Sequence, residues 1–310
     1  MMAAYQELYR TGELQRRVER ALAMLESCHL CPRGCGVNRL RGEVGECRTG
    51  REAVVSSLAP HFGEEAPLVG RRGSGTIFFT NCNLRCIFCQ NYDISQLGTG
   101  YAVSKEELAA MMLSVQRMGC HNLNLVSPTH VVSQILEALE LAVAGGLSIP
   151  LVYNTGGYDS VKTLKLLDGI VDIYMPDMKY SDAGTAQELS GIKSYPAVNR
   201  AAIREMHRQV GDLQIDESGV ATRGLLVRHL VLPHGLAGTA EVVRFLAQEV
   251  STETYLNVMA QYRPCHKAFQ IPQLARGIAE EEFTAAVKLA HSYGLHRLDH
   301  RVPRLLMRLI

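Results

Sequence analysis

Apolar residues recur along this chain in two alternating rhythms. Short apolar runs cover 76–80, 122–126, 150–153, 171–175, 224–232 and 255–260, each of a length that suits a buried strand. Longer stretches with helical spacing lie near 104–118, 129–145, 159–168, 196–210, 238–250 and 279–293. Six strand-then-helix units in a row predict an α/β fold: a parallel sheet with helices outside it, closing or partly closing into a barrel. The pattern differs ahead of these units. Residues 5–27 read as helical, with Leu14, Val18, Leu22 and Leu25 on one face. Residues 28–48 form a loop rich in cysteine, glycine and arginine, and 49–75 read as irregular or β-rich, ending in the turn Gly73-Ser74-Gly75. The expected organisation is an N-terminal extension over 1–74 and a barrel over 75–310.

In such barrels the chemistry gathers where strands end. Asn81 and Cys82 follow the first run, Ser127-Pro128-Thr129-His130 the second, and Asn154-Thr155-Gly156-Gly157 the third. Pro176-Asp177-Met178-Lys179 follow the fourth. The fifth carries Arg228 and His229 within it, and the sixth leads into Gln261 to His266. Polar and ionisable residues at every exit exceed what a packing scaffold needs.

Composition narrows the class. The chain has 310 residues, a net charge of +1 and nine cysteines. The near-neutral balance gives no broad electrostatic reason to expect nucleic acid or an anionic membrane as partner. No stretch approaches the roughly 18 apolar residues of a membrane span, and residues 1–10 lack the apolar run of a secretory signal. A cytoplasmic, reducing location is therefore expected, where clustered cysteines are metal ligands or redox groups more often than disulfides. Seven of the nine cysteines fall between Cys28 and Cys89.

Three of them lie on one loop, Cys82-Asn83-Leu84-Arg85-Cys86-Ile87-Phe88-Cys89, spaced C-x3-C-x2-C. Three thiolates can hold three corners of an iron–sulfur cube that needs four ligands to close, leaving one iron open to bind a small molecule. A structural zinc loop is the alternative, but zinc prefers four ligands, usually as paired C-x2-C knuckles. The loop resembles the cluster signature of the radical S-adenosylmethionine (SAM) superfamily, with Phe88 as its aromatic residue beside the cofactor. The resemblance implies a [4Fe–4S] cluster on Cys82, Cys86 and Cys89, SAM chelated at the open iron, reductive cleavage to a 5′-deoxyadenosyl radical, and a partial (β/α)6 barrel open at one side.

Within that superfamily the chain is most similar to the group related to pyruvate formate-lyase activating enzyme. Asp177-Met178-Lys179 resembles its D-x-K element, which implies that Asp177 and Lys179 contact the methionine moiety of SAM. Arg228 matches an arginine of that group and is expected to bind the cofactor carboxylate bidentately. The family's glycine-rich stretch after the second strand is not reproduced; Ser127 or backbone carbonyls stand in its place. Asn154 and Thr155 stand where the family has an acid and a threonine around a monovalent cation, and here the acid is missing. The implied reaction is hydrogen abstraction from a glycine of a partner glycyl radical enzyme, with flavodoxin or ferredoxin as electron donor. Radical modification of a small molecule, peptide or RNA is the second hypothesis, and a non-catalytic iron–sulfur electron carrier the third.

Four further cysteines, Cys28, Cys31, Cys35 and Cys47, are enough for a closed tetrahedral zinc or an auxiliary iron–sulfur cluster. Cys120 reads as inert and Cys265 as structural. The tail from His296, with Arg297, Arg301, Arg304 and Arg308, reads as a solvated or docking helix.

Overall fold

The computed structural model describes residues 3–299. The expectation of a basic tail falls largely on 300–310, outside the described residues. The N-terminal helical reading divides in two, α1 (Tyr5–Arg10) and α2 (Glu13–Ala23), because Gly12 adopts φ +72°, which an L side chain rarely tolerates. Helix α2 buries Leu14 and Val18 of the expected face together with Ala21, while Leu22 is half-buried and Leu25 is buried just past the helix end. The cysteine-rich coil follows, and then β1 (Ala53–His61), which the sequence marked only as β-rich or irregular. A short connection carrying α3 (Ala66–Val69) leads into β2 (Ser74–Phe79), and β1 pairs antiparallel with it from Val55↔Phe79 to His61↔Ser74.

The three-cysteine loop and the short α4 (Tyr92–Ser95) come next, then β3 (Tyr101–Val103), which pairs with the outer edge of β1. The repeating units run as α5 (Lys105–Arg117), β4 (Leu123–Val126), α6 (Val132–Ala144), β5 (Leu151–Thr155), α7 (Val161–Leu166) and β6 (Ile173–Pro176). They continue with α8 (Ala183–Ser190), α9 (Tyr195–Val210), the short β7 (Gln214–Ile215), β8 (Ala221–Leu230), α10 (Thr239–Glu249), β9 (Tyr255–Met259) and α11 (Glu280–Ser292). Strands β2, β4, β5, β6, β8 and β9 pair in parallel in that order, which is the predicted six-unit sheet. Among the described residues β9 does not pair back onto β2, so the barrel is partial.

One boundary and one unexpected helix depart from the sequence reading for local reasons. Helix α6 begins at Val132 and not at 129, because Pro128 to His130 turn inward and the His130 ring packs under the β2 exit, 3.0 Å from the Thr80 carbonyl. Helix α8 lacks a strong apolar stripe. It is held by Asp182, whose carboxylate caps its first turn by accepting from the Thr185 N–H at 2.7 Å.

The two faces of each strand do different work. Outward residues such as Leu125, Tyr153, Tyr174 and Val227 join the helices in one large core. Inward residues grade from apolar to polar along the strands. Leu68 from α3 plugs the lower end against Val152, Ile173, Met175, Leu226 and Tyr255. Two residues further along, the same inward face carries Asn154, Asp177, Arg228 and Asn257 in place of apolar groups. Polar side chains therefore line the upper half of the barrel, where the strands end. Among the described residues no helix is long and apolar enough to cross a membrane.

Candidate active site

The loop from Cys82 to Cys89 leaves β2 through Asn81 (φ +71°) and seats itself on the C-terminal end of α8. The Ile87 N–H donates to the Leu189 carbonyl at 2.9 Å, and Leu84 and Phe88 bury themselves among Tyr158, Tyr180 and Tyr195. Each of the three sulfurs has a hydrogen-bond neighbour. The Leu84 N–H points at Cys82 Sγ (3.4 Å), Ser190 Oγ donates to Cys86 Sγ (3.0 Å), and Ser95 Oγ lies 3.2 Å from Cys89 Sγ. Burial, followed by mutual repulsion with the other sulfurs, pushes the Cys82 thiol up to about 12 and raises Cys89 as well. Bare, Cys82 and Cys89 stay protonated; a metal that displaces thiol protons gains three hydrogen-bonded thiolates. Among the described residues no three His, Cys, Asp or Glu side chains converge on one point as they would around a single ion. A cube takes each sulfur on a different iron and needs no such convergence. With sulfurs that neighbouring groups already hydrogen-bond, the donor set fits an iron–sulfur cube.

The three cysteines face a cavity of about 320 Å³ whose opposite wall is charged. Asp177 Oδ1 accepts from Arg228 Nε at 2.8 Å, and its Oδ2 accepts from Lys179 Nζ at 2.6 Å. Arg228 also donates to Asn154 Oδ1 at 2.8 Å. Burial alone would raise Asp177, but Arg228 and then Lys179 outweigh it and hold the carboxyl below its ordinary value. Lys179 shows the converse: burial disfavours its charge, yet Asp177 and then Cys86 raise its pKa. Arg228 and Lys179 together outweigh the Asp177 carboxylate, so these three groups carry a surplus positive charge, which Glu64 faces from the same cavity. The expectation that Asp177 and Lys179 stand free for separate groups of a ligand is thus modified, because each is already engaged with the other.

The strand exits are pinned from outside. Tyr195 on α9 accepts from the Lys179 N–H (3.1 Å) and lies within hydrogen-bond reach of the Gly156 and Asp177 carbonyls, while Asn199 donates to the Gly157 and Asp177 carbonyls. Gly157, at φ +78°, lets this turn approach so closely that a Cβ would strike the Asp177 carbonyl. His229, next to Arg228, is buried and sits 2.7 Å from the Met178 carbonyl between Asp177 and Lys179; its other nitrogen faces Thr239 Oγ1 at 2.9 Å.

Of the remaining expected residues, Ser127 and Asn154 line the cavity, and Ser127 does so in a left-handed conformation (φ +59°) fixed by its N–H on the Asn154 carbonyl. Thr155 lines it too, but its hydroxyl is held by Asp159 at 2.7 Å in a buried group with Thr129 and Tyr153. Phe88 stays out of the cavity. Its ring stands edge-on to Tyr180 and Tyr262, with centroids 6.3 and 5.9 Å away, where it braces the loop. The sequence reading missed His61, the last residue of β1, and Glu64 of the β1–β2 connection, which both reach the cavity. Glu64 is buried, and burial opposes its charge, but His61 and then Arg228 hold its carboxyl below the usual value. No periodicity or motif marks that connection; an acid in an otherwise apolar stretch was the sole signal.

Two buried histidines make a pH prediction. Burial pushes His130 and His229 down to about 4. The unfolded chain therefore binds protons below about 6.5 that the folded chain refuses, and stability falls as pH drops from there toward 4. Each histidine contributes about 3 kcal/mol at most to that fall. Asp172, raised by burial to about 6, works against it in the lower part of the window. His229→Gln keeps a donor for Met178 and cannot charge, so urea-unfolding midpoints in the variant should depend less steeply on pH between 6.5 and 4.5. An unchanged slope would place the proton uptake elsewhere.

The second cysteine group lies beside the first. Cys28, Cys31 and Cys47 are buried and Cys35 is exposed at the rim. Burial first, and then Cys47 and Cys28, push the Cys31 thiol up to about 12. Arg85 of the radical-type loop donates to Glu46 Oε1 (3.2 Å) and to the Glu46 carbonyl (2.6 Å), next to Cys47. Cys120 is buried at the entry to β4, and neither it nor Cys265 lines the cavity.

Comparison with known proteins agrees with this geometry. The family model of the radical SAM superfamily matches residues 76–209. An uncharacterised protein of Methanocaldococcus jannaschii is 33% identical over 298 residues, covering 93% of this chain and 81% of that protein. Two solved structures share the fold at low identity. A radical SAM methyltransferase from Sphaerobacter thermophilus gives a TM-score of 0.51 at 14% identity, over 71% of this chain and 64% of its own. HydG, a maturase of the [FeFe]-hydrogenase, gives 0.51 at 12%, over 76% of this chain and 53% of its own. The chain thus spans less than two thirds of either structure's length. The matched region carries the three-cysteine loop and the Asp177–Lys179 wall, and Arg228 lies beyond it: the chain carries a domain of the radical SAM superfamily.

Proposed function

We propose that Cys82, Cys86 and Cys89 hold three irons of a [4Fe–4S] cluster and that the wall formed by Asp177, Lys179 and Arg228 receives the methionine end of SAM. The observation that carries this reading is the pairing of three hydrogen-bonded sulfurs with a buried cationic wall across one cavity. A cluster held by these three cysteines would supply, once reduced, the electron for cleaving the SAM sulfonium to methionine and a 5′-deoxyadenosyl radical.

The protein's own part is to aim and shield. Arg228 and Lys179 together offer more positive charge than Asp177 neutralises, which suits a carboxylate. Asp177, Asn154 and the carbonyl-lined exits offer acceptors to an ammonium. Tyr195, Asn199 and His229 fix these groups by holding the backbone on both sides of Asp177. Rigid placement of this kind lowers the cost of orienting the reacting bond. A plain electron carrier has no use for such a wall.

The test is anaerobic incubation of the iron- and sulfide-reconstituted, dithionite-reduced protein with SAM, read by chromatography for 5′-deoxyadenosine and methionine. Both products are expected. Their absence with an intact, reduced cluster would make the chain an electron carrier. The finer reading, hydrogen abstraction from a glycine of a partner enzyme with flavodoxin or ferredoxin as donor, is supported by the Asp177-Met178-Lys179 element alone. It is tested by electron paramagnetic resonance of candidate glycyl radical enzymes after incubation with the protein.

A further inference from the structure

Arg39 is fully buried, with 1% of its surface exposed. Its Nε donates to the Gly50 carbonyl at 2.9 Å and its Nη1 to the His130 carbonyl at 2.7 Å. Its Nη2 is buried and has no hydrogen-bond partner. Among the described residues no Asp or Glu forms an ion pair with it. A buried guanidinium without a counter-anion is among the least favourable arrangements a folded chain can hold. Arg33 repeats the pattern nearby. Its Nε donates to the Asn83 carbonyl at 2.9 Å, and its Nη2 is likewise buried and unpartnered.

Both arginines face the same small space, shared by four thiols, Cys28, Cys31, Cys35 and Cys47, and bordered by Glu46, whose carboxylate is half exposed and pairs with Arg85 and with neither of these two arginines. Arg39 Nη1 lies 3.9 Å from Cys28 Sγ. What these two cations lack is negative charge, and thiols supply it when they release their protons to a metal. Four thiolates around Zn²⁺, or around a cube with a +2 core, leave a net charge of −2. Two guanidiniums balance that charge.

We propose that Cys28, Cys31, Cys35 and Cys47 bind a second metal centre as a dianionic tetrathiolate, whose charge the buried Arg39 and the half-buried Arg33, its Nη2 turned inward, neutralise. Cys28, Cys31 and Cys47 are buried around this space but are not drawn together as they would be around a single ion. Cys35 leans away toward the Cys28 carbonyl, 3.9 Å off, so capture turns its side chain inward. The centre borders the radical-type loop across one side chain. The Asn83 amide sits against the Cys31 thiol, and its oxygen lies 3.9 Å from Cys82 Sγ. The site stands on its own observations and does not depend on the proposed reaction.

The test removes the other cysteine group. The full-length Cys82→Ala, Cys86→Ala, Cys89→Ala variant, purified without oxygen, is analysed for zinc, iron and acid-labile sulfide. One zinc per chain, or four irons with matching sulfide, is expected; either result supports the site and names its metal. A folded variant that takes up neither, after exposure to zinc and to iron with sulfide, overturns it. If that triple variant fails to fold, Cys35→Ser in the otherwise intact chain takes its place, because Cys35 is exposed. It should lose this metal and keep the radical-site iron, and unchanged metal content would overturn the site. Arg39→Met should speed metal loss to a chelator roughly tenfold or more, with Arg39→Lys partly restoring retention. Retention equal to wild type in Arg39→Met would remove the charge argument and, with it, the proposal.

Discussion

Replacing Cys86 with alanine is expected to abolish SAM cleavage, lowering 5′-deoxyadenosine formation by at least about a thousandfold, because removing a group that acts as part of a unit costs nearly the whole effect. Cys86 is the most deeply buried of the three loop cysteines and takes the Ser190 hydroxyl at 3.0 Å. Without its sulfur the two remaining ligands lie on the outer parts of the loop and cannot enclose a cube. The visible absorption of the radical-site cluster should disappear with the activity. Two controls separate this from a general effect of losing a thiol. Cys120→Ser, buried at the α5–β4 junction away from the cavity, should keep full turnover. Cys31→Ala, in the other cysteine group, should keep the radical-site iron. Undiminished product from Cys86→Ala would end the assignment of the loop.

Arg228→Met should produce the second largest effect, and on two readouts at once. The guanidinium is held between Asp177 and Asn154, and both lose a donor when it goes. Removing one partner of a buried pair destabilises by about 3–5 kcal/mol. Here Lys179 still holds Asp177, so the lower end, about 3 kcal/mol, is expected. Affinity for SAM should fall by roughly a hundredfold, the equivalent of about 3 kcal/mol. Arg228→Lys should recover most of the stability but less of the affinity, since an ammonium cannot meet a carboxylate with a planar fork. Equilibrium binding of SAM to the reconstituted variants, alongside urea unfolding, measures both. A lost fold-stabilising role with unchanged affinity would confine Arg228 to structure.

Much of this architecture could be read from residue spacing, and the reasons for success and failure are physical. The six parallel strands announce themselves because a strand buried on both faces is largely apolar, as in 150–153; Asn122 and Asn124 in 122–126 and Asp172 in 171–175 interrupt that pattern without hiding it. Arg228 stood out for the same reason: a charge within such a run has to face something polar. The antiparallel strand Ala53–His61 was harder to see because its outer half is exposed and its composition mixed. Helix Ala183–Ser190 was missed because eight residues held chiefly by a cap leave little periodicity. Glu64 left only the weak trace of an acid beside an apolar stretch. Its place in the cavity follows from the β1–β2 connection tucking under the barrel, a long-range consequence of register that no local pattern encodes. Phe88 shows the opposite error: the motif marks it correctly, but its ring serves the loop's packing and not the cavity.

The pairing of β1 with β2 also bears on how this protein can be handled. Recognition of the family rests on residues 76–209, yet that stretch is not a self-standing piece of structure. Trimming the chain to it would strip β1 from β2 and β8 from β6, baring the backbone of a hydrophobic sheet on both flanks. Bared flanks of that kind zip onto other chains and precipitate. It would also discard Arg228 and the Glu46 anchor of the cysteine loop. The recognisable stretch and the workable molecule are therefore different lengths of the same polypeptide.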